Sequence, residues 1–587
     1  MPPLIPRPAA AAAFSAFFLL SAVTHAALPF GHTIKKNNAA LPDFNAAGVV
    51  VSDSLTGAFF FADMDFPDPA SPGDTYGVSG FGYFDATAAF KWAAYVDYGV
   101  SGTSDTGTFG PLPATPTKYF AIYNVPGGKT RVGVGTGSTL VKDFAVEFTH
   151  SANPNDLMTT VTAQNKIVQL MDQGTTLSLV ALNATGGLDI SKNYASTSFL
   201  AAGGSNQQYA EVSPIPDGTG YYITVQNSTT AVTQNFVVIK LDAAGAVTWS
   251  KSFTMTGTAT APLGSLSAQV APNGTLLLSV GQSDFTTGAQ KTHVIKLNAD
   301  GTKNWANTLT GAGLIPNFFS PNSSDIWLGG SMYNFTASPP VIQGVAARLS
   351  NATGAVSAEF RPTGSTGLFV TAVNADAAYF NIYNPDLPNR SLIAKVATGS
   401  STASGFVRND TLGTAYISTR DTTGSLSSEF DTDTGVARVI GYDNSFQSVV
   451  AVCPDYASSA ISLQPSALTS AALAVTPAAA TVTASARTTT LTPITSIPIQ
   501  ALALKIDPYQ AASPPLNLPL TTTRDASGHL LIGFTSKAAT TYSLLYSPDL
   551  KTAFSQVQTL SGTGGHVAFT VNITGARGFY KVSDGSP

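Results

Sequence analysis

The chain has 587 residues, of which only 11% are charged, and its formal net charge is −5. So weak a field excludes the basic patch by which a nucleic-acid-binding protein displaces counterions from phosphates. The length exceeds one ordinary compact core and predicts roughly two to four domains or a large repeat fold, while abundant Ala, Thr, Ser and Gly fit a β-rich exported protein.

Residues 1–26 read as a secretory signal peptide: Arg7 supplies the positive start, Ala9 to Val23 the apolar stretch, and Thr24-His25-Ala26 a small-residue cleavage site. That stretch is shorter than the roughly 20 residues that span a bilayer, although a retained N-terminal anchor is the competing reading. No later segment is long and apolar enough to span, so no transmembrane helix is expected after signal removal. These features predict an extracellular or cell-surface location, with the periplasm as the alternative. The single cysteine, Cys453, forms no intramolecular disulfide; within SVVAVCPDY it reads as a small buried hydrophobe rather than a nucleophile.

Residues 27–455 carry a repeat. VIKLDAAGAVTW (Val238 to Trp249) returns as VIKLNADGTKNW (Val294 to Trp305). In both, a β-branched run enters a turn that begins with Asp242 or Asn298 and closes on Gly245 or Gly301, and a tryptophan stands four residues later. Asp or Asn opening a turn that Gly closes with positive φ is a hairpin signature. Pro216-Asp217-Gly218 and Pro272-Asn273-Gly274 each precede the closing glycine by 27 residues, which defines a unit of two hairpins and four strands. Weaker copies centre on Ala88 (with Trp92 in the tryptophan slot), Gly127, Gly186, Gly354, Gly399 and Gly435; the steps along the whole series are 39, 59, 59, 56, 53, 45 and 36. The mean is near the length of a four-stranded propeller blade, about 40 to 50 residues. Runs such as TLLLSVG (Thr275 to Gly281) and FVVIKL (Phe236 to Leu241) are apolar on consecutive residues, so both faces of their sheets must be covered. Stacked blades provide that cover and leave only short edges; an open β-solenoid or a string of sandwiches is the alternative.

The form L-[DN]-x-x-G-x-x-x-W resembles the blade motif of the pyrroloquinoline-quinone-like and WD40-like bacterial propellers, in which the tryptophan docks between adjacent blades. Full agreement occurs at Trp249 and Trp305, whereas Arg131, Ile190 and Ala358 stand in the slot elsewhere. The resemblance covers about residues 45 to 455.

Residues 456–515 turn into an Ala/Thr/Ser/Pro-rich stretch with almost no charge. Alternation in ALAVTPAAATVTAS and PIQALALKI predicts a few strands, which either close the ring or form a small module, and AASPP reads as a linker. Residues 516–587 read as short strands broken by Asp525-Ala526-Ser527-Gly528 and Gly562-Thr563-Gly564-Gly565. The segments Tyr542 to Leu550 and Arg577 to Val582 resemble a small C-terminal β-sandwich module of secreted bacterial proteins, with Phe554 near the family's usual tryptophan. That resemblance implies export and surface attachment or sorting, without catalysis.

No motif carries chemistry. His32, His150, His293, His529 and His566 form no pair at metal-ligand spacing, and each reads as a solvated turn or strand-edge histidine. Gly329-Gly330-Ser331-Met332-Tyr333 lacks the final glycine of a nucleophile elbow. The quinone-dependent dehydrogenases that the blade resemblance suggests use a cysteine pair, which a lone Cys453 does not provide. Asp63, Asp65, Asp68 and Asp74 are dense enough to ligate calcium but lack its loop frame, and Asp431 to Gly435 falls on a repeat turn. The Asn227, Asn334 and Asn572 sequons carry little weight, and Tyr221-Tyr222 and Tyr379-Phe380 read as blade core rather than sugar platforms.

The sequence therefore predicts an all-β chain: a β-propeller of about seven four-stranded blades, give or take one, followed by a small β-sandwich. Catalytic residues, metal sites and cofactors are expected to be none, and the binding residues are unknown. The expected role is an exported, non-catalytic surface binding or scaffold protein for a polysaccharide or protein partner. The alternative is a glycoside hydrolase or lyase whose carboxylates converge from several blades, and a purely structural surface component is the third.

Overall fold

The computed structural model describes residues 30–508 and 520–583 apart from stretches between strands, among them 97–107, 200–207, 312–324 and 444–455. The signal segment and Cys453 lie outside these residues. Every regular element described is a β-strand. Two compact units divide between Tyr509 and Gln510, so the strands of 456–508 belong with the first.

That unit contains eight antiparallel sheets. Blade 1 is Phe44–Val51, Ala58–Pro67, Thr75–Phe84 and Phe90–Val96, from the first strand to the fourth. Blade 2 is Thr108–Leu112, Thr115–Val125, Lys129–Thr136 and Val141–Thr149; blade 3 is Asp156–Val161, Ile167–Asp172, Thr176–Leu182 and Leu188–Ala195. Blade 4 is Gln208–Pro214, Gly220–Ser228, Thr233–Asp242 and Val247–Thr256; blade 5 is Leu263–Val270, Leu276–Ser283, Gln290–Leu297 and Lys303–Thr310. Blade 6 shows Asp325–Asn334, Val341–Ser350 and Val356–Phe360, which its Gly354 hairpin identifies as second to fourth strands. Blade 7 is Gly367–Val373, Ala377–Asn384, Arg390–Ala397 and Thr402–Arg408.

Blade 8 takes three strands, Ala415–Thr419, Gly424–Asp431 and Val436–Asp443, from late in the chain and its fourth, Phe30–Lys36, from the start. Phe30 to Ile34 pair antiparallel with Gly441 to Ala437. Blade 8 packs against the first strand of blade 1 on one side and of blade 7 on the other, which closes the ring.

The apolar runs lie where two-sided burial requires them. Every residue of Ile167–Asp172 is buried, as is nearly all of Gly220–Ser228, because second strands stand between neighbouring blades. One cluster joins Val168, Leu170 and Leu179 of blade 3 to Ile223, Val225 and Val237 of blade 4; the next joins Tyr222 and Phe236 to Leu276 and Leu278 of blade 5. Each such side chain contributes about 1.5–3 kcal/mol relative to exposure.

Hairpins between third and fourth strands share a construction. The Gly245 amide donates to Asp242 O at 3.0 Å and the Asp242 amide to Ala246 O at 2.9 Å, while the Ala244 and Ala246 amides both donate to Asp242 Oδ1. A register shift precedes the turn in blades 1 to 6. Two frame assignments are corrected. Gly127 lies between the second and third strands of blade 2, whose last hairpin turns at Gly137, where Trp92 of blade 1 lies; Phe144, not Arg131, meets the next blade's Gly186. Gly435 likewise lies between second and third strands, in blade 8. With the blade 2 turn at Gly137, the first two steps of the series become 49 and 49 residues.

The tail runs around this ring. Tyr456–Ser462 pairs with the fourth strand of blade 7; Thr469–Ala472, Ala478–Ala479, Thr483–Ala486, Thr492–Pro493, Ile499–Ala501 and Leu504–Pro508 pair in turn with blades 5, 4, 3, 2, 1 and 8. Seven of the eight sheets thereby gain an outer fifth strand.

The second unit is a small sandwich of two three-stranded sheets. Thr521–Arg524, Leu530–Thr535 and His566–Val571 form one; Ser555–Ser561, Thr541–Ser547 and Phe579–Ser583 form the other. Ile532, Phe534, Tyr542, Leu544, Phe569 and Val582 make its core, with the Phe534 and Tyr542 rings edge-to-face at 4.8 Å.

Candidate functional site

The ring has two unlike ends. At one, the first-to-second and third-to-fourth connections are two to six residues long wherever the two strands are described and consecutive in the chain. At the other, the second-to-third connections and those between blades run from three to twelve residues between described strands of complete blades. The ends differ chiefly in the connections between blades, the longest of which are eleven and twelve residues, and long connections concentrate where a scaffold presents recognition groups.

The hairpin end uses its polar groups to join blades. Tyr194 Oη donates to Gly245 O at 2.7 Å, and Tyr222 Oη to Gly274 O at 2.6 Å. Trp249 Nε1 and Lys240 Nζ both donate to Ala299 O, at 2.9 and 2.8 Å, and Trp305 Nε1 donates to Asn351 O at 3.1 Å. Burial pushes both tyrosine hydroxyls well above their ordinary pKa, so they stay protonated donors. The two motif tryptophans are packing devices.

At the loop-bearing end of blades 3 to 5 the joints are carboxamides. Gln208 Nε2 donates to Asp172 Oδ1 and to Gly174 O, both at 2.8 Å, linking blades 4 and 3. Buried Asn227 donates to Ser198 O at 2.6 Å, which places that sequon asparagine away from solvent. Gln226 engages blade 5 as a strand would: Nε2 donates to Gly264 O at 3.0 Å and Oε1 accepts the Leu266 amide at 2.7 Å. It does so across the register shift between Leu263 and Leu266. Gln226→Leu leaves the Leu266 amide without that acceptor and is expected to cost about 1–3 kcal/mol, read as a lower denaturant midpoint with an unchanged slope.

His293, expected to be solvated, is instead 8% exposed within blade 5. Its strand, Gln290–Leu297, is buried over most of its length, which the polar letters QKTH at its start do not reveal. Its Nδ1 lies 3.0 Å from Thr308 Oγ1 and its Nε2 3.1 Å from Gln282 Oε1. The Gln282 amide nitrogen donates to Ala261 O, so Oε1 accepts and the imidazole donates from Nε2. Burial, helped by Lys291, lowers the pKa to about 4. The unfolded chain thus binds a proton that the folded chain refuses, and stability is lost as pH falls from about 6.5 towards 4, by up to about 3 kcal/mol. His293→Gln removes this increment: the stability advantage of wild type over variant is expected to shrink by that amount from pH 7 to pH 4 in parallel denaturation series.

The other sequence candidates do not converge. Asp63 and Asp65 lie on the second strand of blade 1, Asp65 exposed, while Asp68, Asp74, His150, Asn572 and residues 432–435 lie outside the described residues. His32 is in the closing strand of blade 8 and His566 in the sandwich. Tyr221, Tyr222 and Phe380 are blade core. Gly329 to Tyr333 lie within a strand of blade 6 rather than at a strand-to-helix turn. His529 caps a sandwich turn through Asp525 Oδ2 at 2.8 Å, which holds that carboxyl below its usual range. Among the described residues no three His, Cys, Asp or Glu side chains are grouped to hold a metal. No helix of the described residues is long and apolar enough to cross a membrane. What sequence reasoning missed is the carboxamide set, because Gln and Asn carry no motif and are joined only by the ring.

No family model matches the chain and no curated protein does. Among solved structures the chain is similar to a cobalt-substituted Synechocystis apocarotenoid oxygenase, with a TM-score of 0.33 and 12% identity over 78% of this chain and 97% of that one. It is also similar to prolyl endopeptidases, with a TM-score of 0.31 and 11% identity over 67% of this chain and 54% of that one. The expected non-catalytic binding or scaffold role is corrected here: these neighbours are enzymes, and no finding supports a non-catalytic binder. At this similarity neither reaction nor substrate carries over.

Proposed function

We propose that the chain is an exported propeller whose loop-bearing end receives a neutral, hydrogen-bonding substrate. The longer connections between blades, all at this end, carry this reading, since between described strands the other end has only short hairpins that pack on the next blade. Gln208, Gln226 and Asn227 join blades 3 to 5 at that end by donating amide hydrogens, with Asp172 the one carboxylate among their partners, and surroundings so rich in amides suit hydroxyl- or amide-bearing groups. The blade-motif resemblance to pyrroloquinoline-quinone-like propellers is part of the proposal and is supported by the docking of Trp249 and Trp305 on the next blade's hairpin. Export rests on residues 1–26, and the sandwich is assigned to sorting or attachment.

The test incubates the chain with a panel of neutral glycans and peptides, following hydrogen exchange and product release together. Protection is expected at connections such as 173–175 and 257–262 for the substrate that binds. Protection confined to the hairpins at 243–246 and 298–302 would overturn the assignment of the ends, whereas product release would identify the reaction.

A further inference from the structure

The tail strands differ from the rest of the ring. Between them, apolar side chains enter the outer mouths of the clefts between blades. Leu468 joins the cluster of blades 5 and 6, and Val475 that of blades 4 and 5. Val482 packs on the cluster of blades 3 and 4, Leu491 on that of blades 2 and 3, and Ile497 joins that of blades 1 and 2. Leu502 is 3% exposed, against Gly80 of blade 1. Six apolar pegs thus follow the ring in order, separated by 7, 7, 9, 6 and 5 residues.

Fourth-strand side chains hold the intervening backbone. Lys303 Nζ donates to Val475 O at 2.7 Å, Ser250 Oγ to Ala480 O at 2.6 Å, Ser191 Oγ to Arg487 O at 2.8 Å and Lys142 Nζ to Ile494 O at 2.6 Å. The path runs from blade 7 the long way round to blade 8, where Leu504 to Pro508 pair with Lys36 to His32, the N-terminal strand that closes the ring. Every one of these contacts presupposes a formed blade edge or a formed cleft. The tail strands themselves are two to seven residues long, and each pairs with a blade rather than with another tail strand.

We propose that this segment is a circumferential lock: it docks after the ring has formed, and its release comes before the loss of any blade. The lock acts on the unfolding rate. Contacts made after the folding transition state change unfolding and leave refolding almost untouched, whereas contacts inside the nucleus change refolding. A Thr- and Val-rich ring with eight outer edges also has reason to cover them, because uncovered edges template pairing with other chains.

The test is stopped-flow unfolding and refolding of the full-length chain carrying Val475→Ala and, separately, the milder Leu502→Val, with native-state hydrogen exchange on the wild type. Unfolding is expected to accelerate about tenfold in Val475→Ala and about threefold in Leu502→Val, with refolding changed less than about twofold. The amides of Thr483–Ala486 and of Leu504 to Asp507 are expected to exchange together and ahead of those of Ile167–Asp172. Slowed refolding at an unchanged unfolding rate, or tail amides that exchange only with the blades, overturns the lock and makes the segment an ordinary part of the nucleus. Leu502→Val keeps the test decisive if Val475→Ala does not fold.

Discussion

Replacing Trp305 by alanine is expected to lower the stability of the propeller by about 3–5 kcal/mol, the range for emptying a buried large aromatic site. The ring is 8% exposed and belongs to the cluster that joins blade 5 to Ile326, Leu328 and Val345 of blade 6. Its counterpart on the next blade is Gly354, which holds φ at +68° and whose added Cβ would lie 2.5 Å from the indole. The glycine is therefore required twice, by the turn and by the ring that lies on it. Collapse cannot refill the site, because the hairpin backbone is already held by Lys296 Nζ on Asn351 O at 2.8 Å. That lysine also keeps the carbonyl partnered when the indole N–H is gone, so the loss is one of packing. Trp305→Phe should accordingly recover most of it, and Trp249→Ala should cost less, because Trp249 is only half-buried. Chemical denaturation of the three variants decides the point; a Trp305→Ala cost below about 1 kcal/mol would mean that blades 5 and 6 are not joined by this contact.

Hairpin and tail differ in how far their partners lie along the chain, and legibility in the sequence follows that distance. A hairpin is local: Asp242 and Gly245 are three residues apart and bond to each other, so the chemistry of the turn is written where it acts. The two-sided burial of Phe236 to Leu241 is also local, as a run without polar alternation. The blade 2 hairpin is hidden in the sequence because Thr136 to Val141 carries no Asp or Asn at its opening, while Gly127-Gly128 nearby reads as a better turn. The tail, whose sequence fits strands that close the ring and strands of a small module alike, is hard to read for a different reason. Ala478 and Ala479 form a strand only because Ser252 and Lys251 offer an edge to them, and no pattern within two alanines records that partner. Its peg spacing of 7, 7, 9, 6 and 5 residues matches no period of 2 or 3.6. The carboxamides and His293 at the candidate site share this difficulty: their surroundings come from other strands of the ring, and a buried histidine reads in sequence like a solvated one.

Gly133→Ala carries the second large effect, and it connects the ring to the tail. Gly133 lies on the third strand of blade 2, facing blade 1, and the place of its missing Cβ is occupied by the end of the Ile497 side chain. Its φ is not among the positive values, so alanine brings no backbone strain there. In an ordinary strand this change would be neutral or helpful, since alanine orders the unfolded chain. Here the methyl must expel Ile497, which is 7% exposed, from the cluster that holds Phe81, Trp92 and Tyr119. The expected cost is about 2–3 kcal/mol, the burial of one isoleucine. Ile497→Ala alone should cost a similar amount or more, because it empties the same site. The double variant should be no worse than Ile497→Ala alone, since the new methyl occupies part of the space that the isoleucine leaves. A double-mutant cycle is thus expected to show a coupling of about 2 kcal/mol, far above the roughly 0.5 kcal/mol of independent sites. Additive costs would mean that the tail does not enter the cleft at Gly133. Coupling of that size requires that residues 364 positions apart share one packing site, and it is this sharing that turns an Ala- and Thr-rich tail into a structural part of the ring.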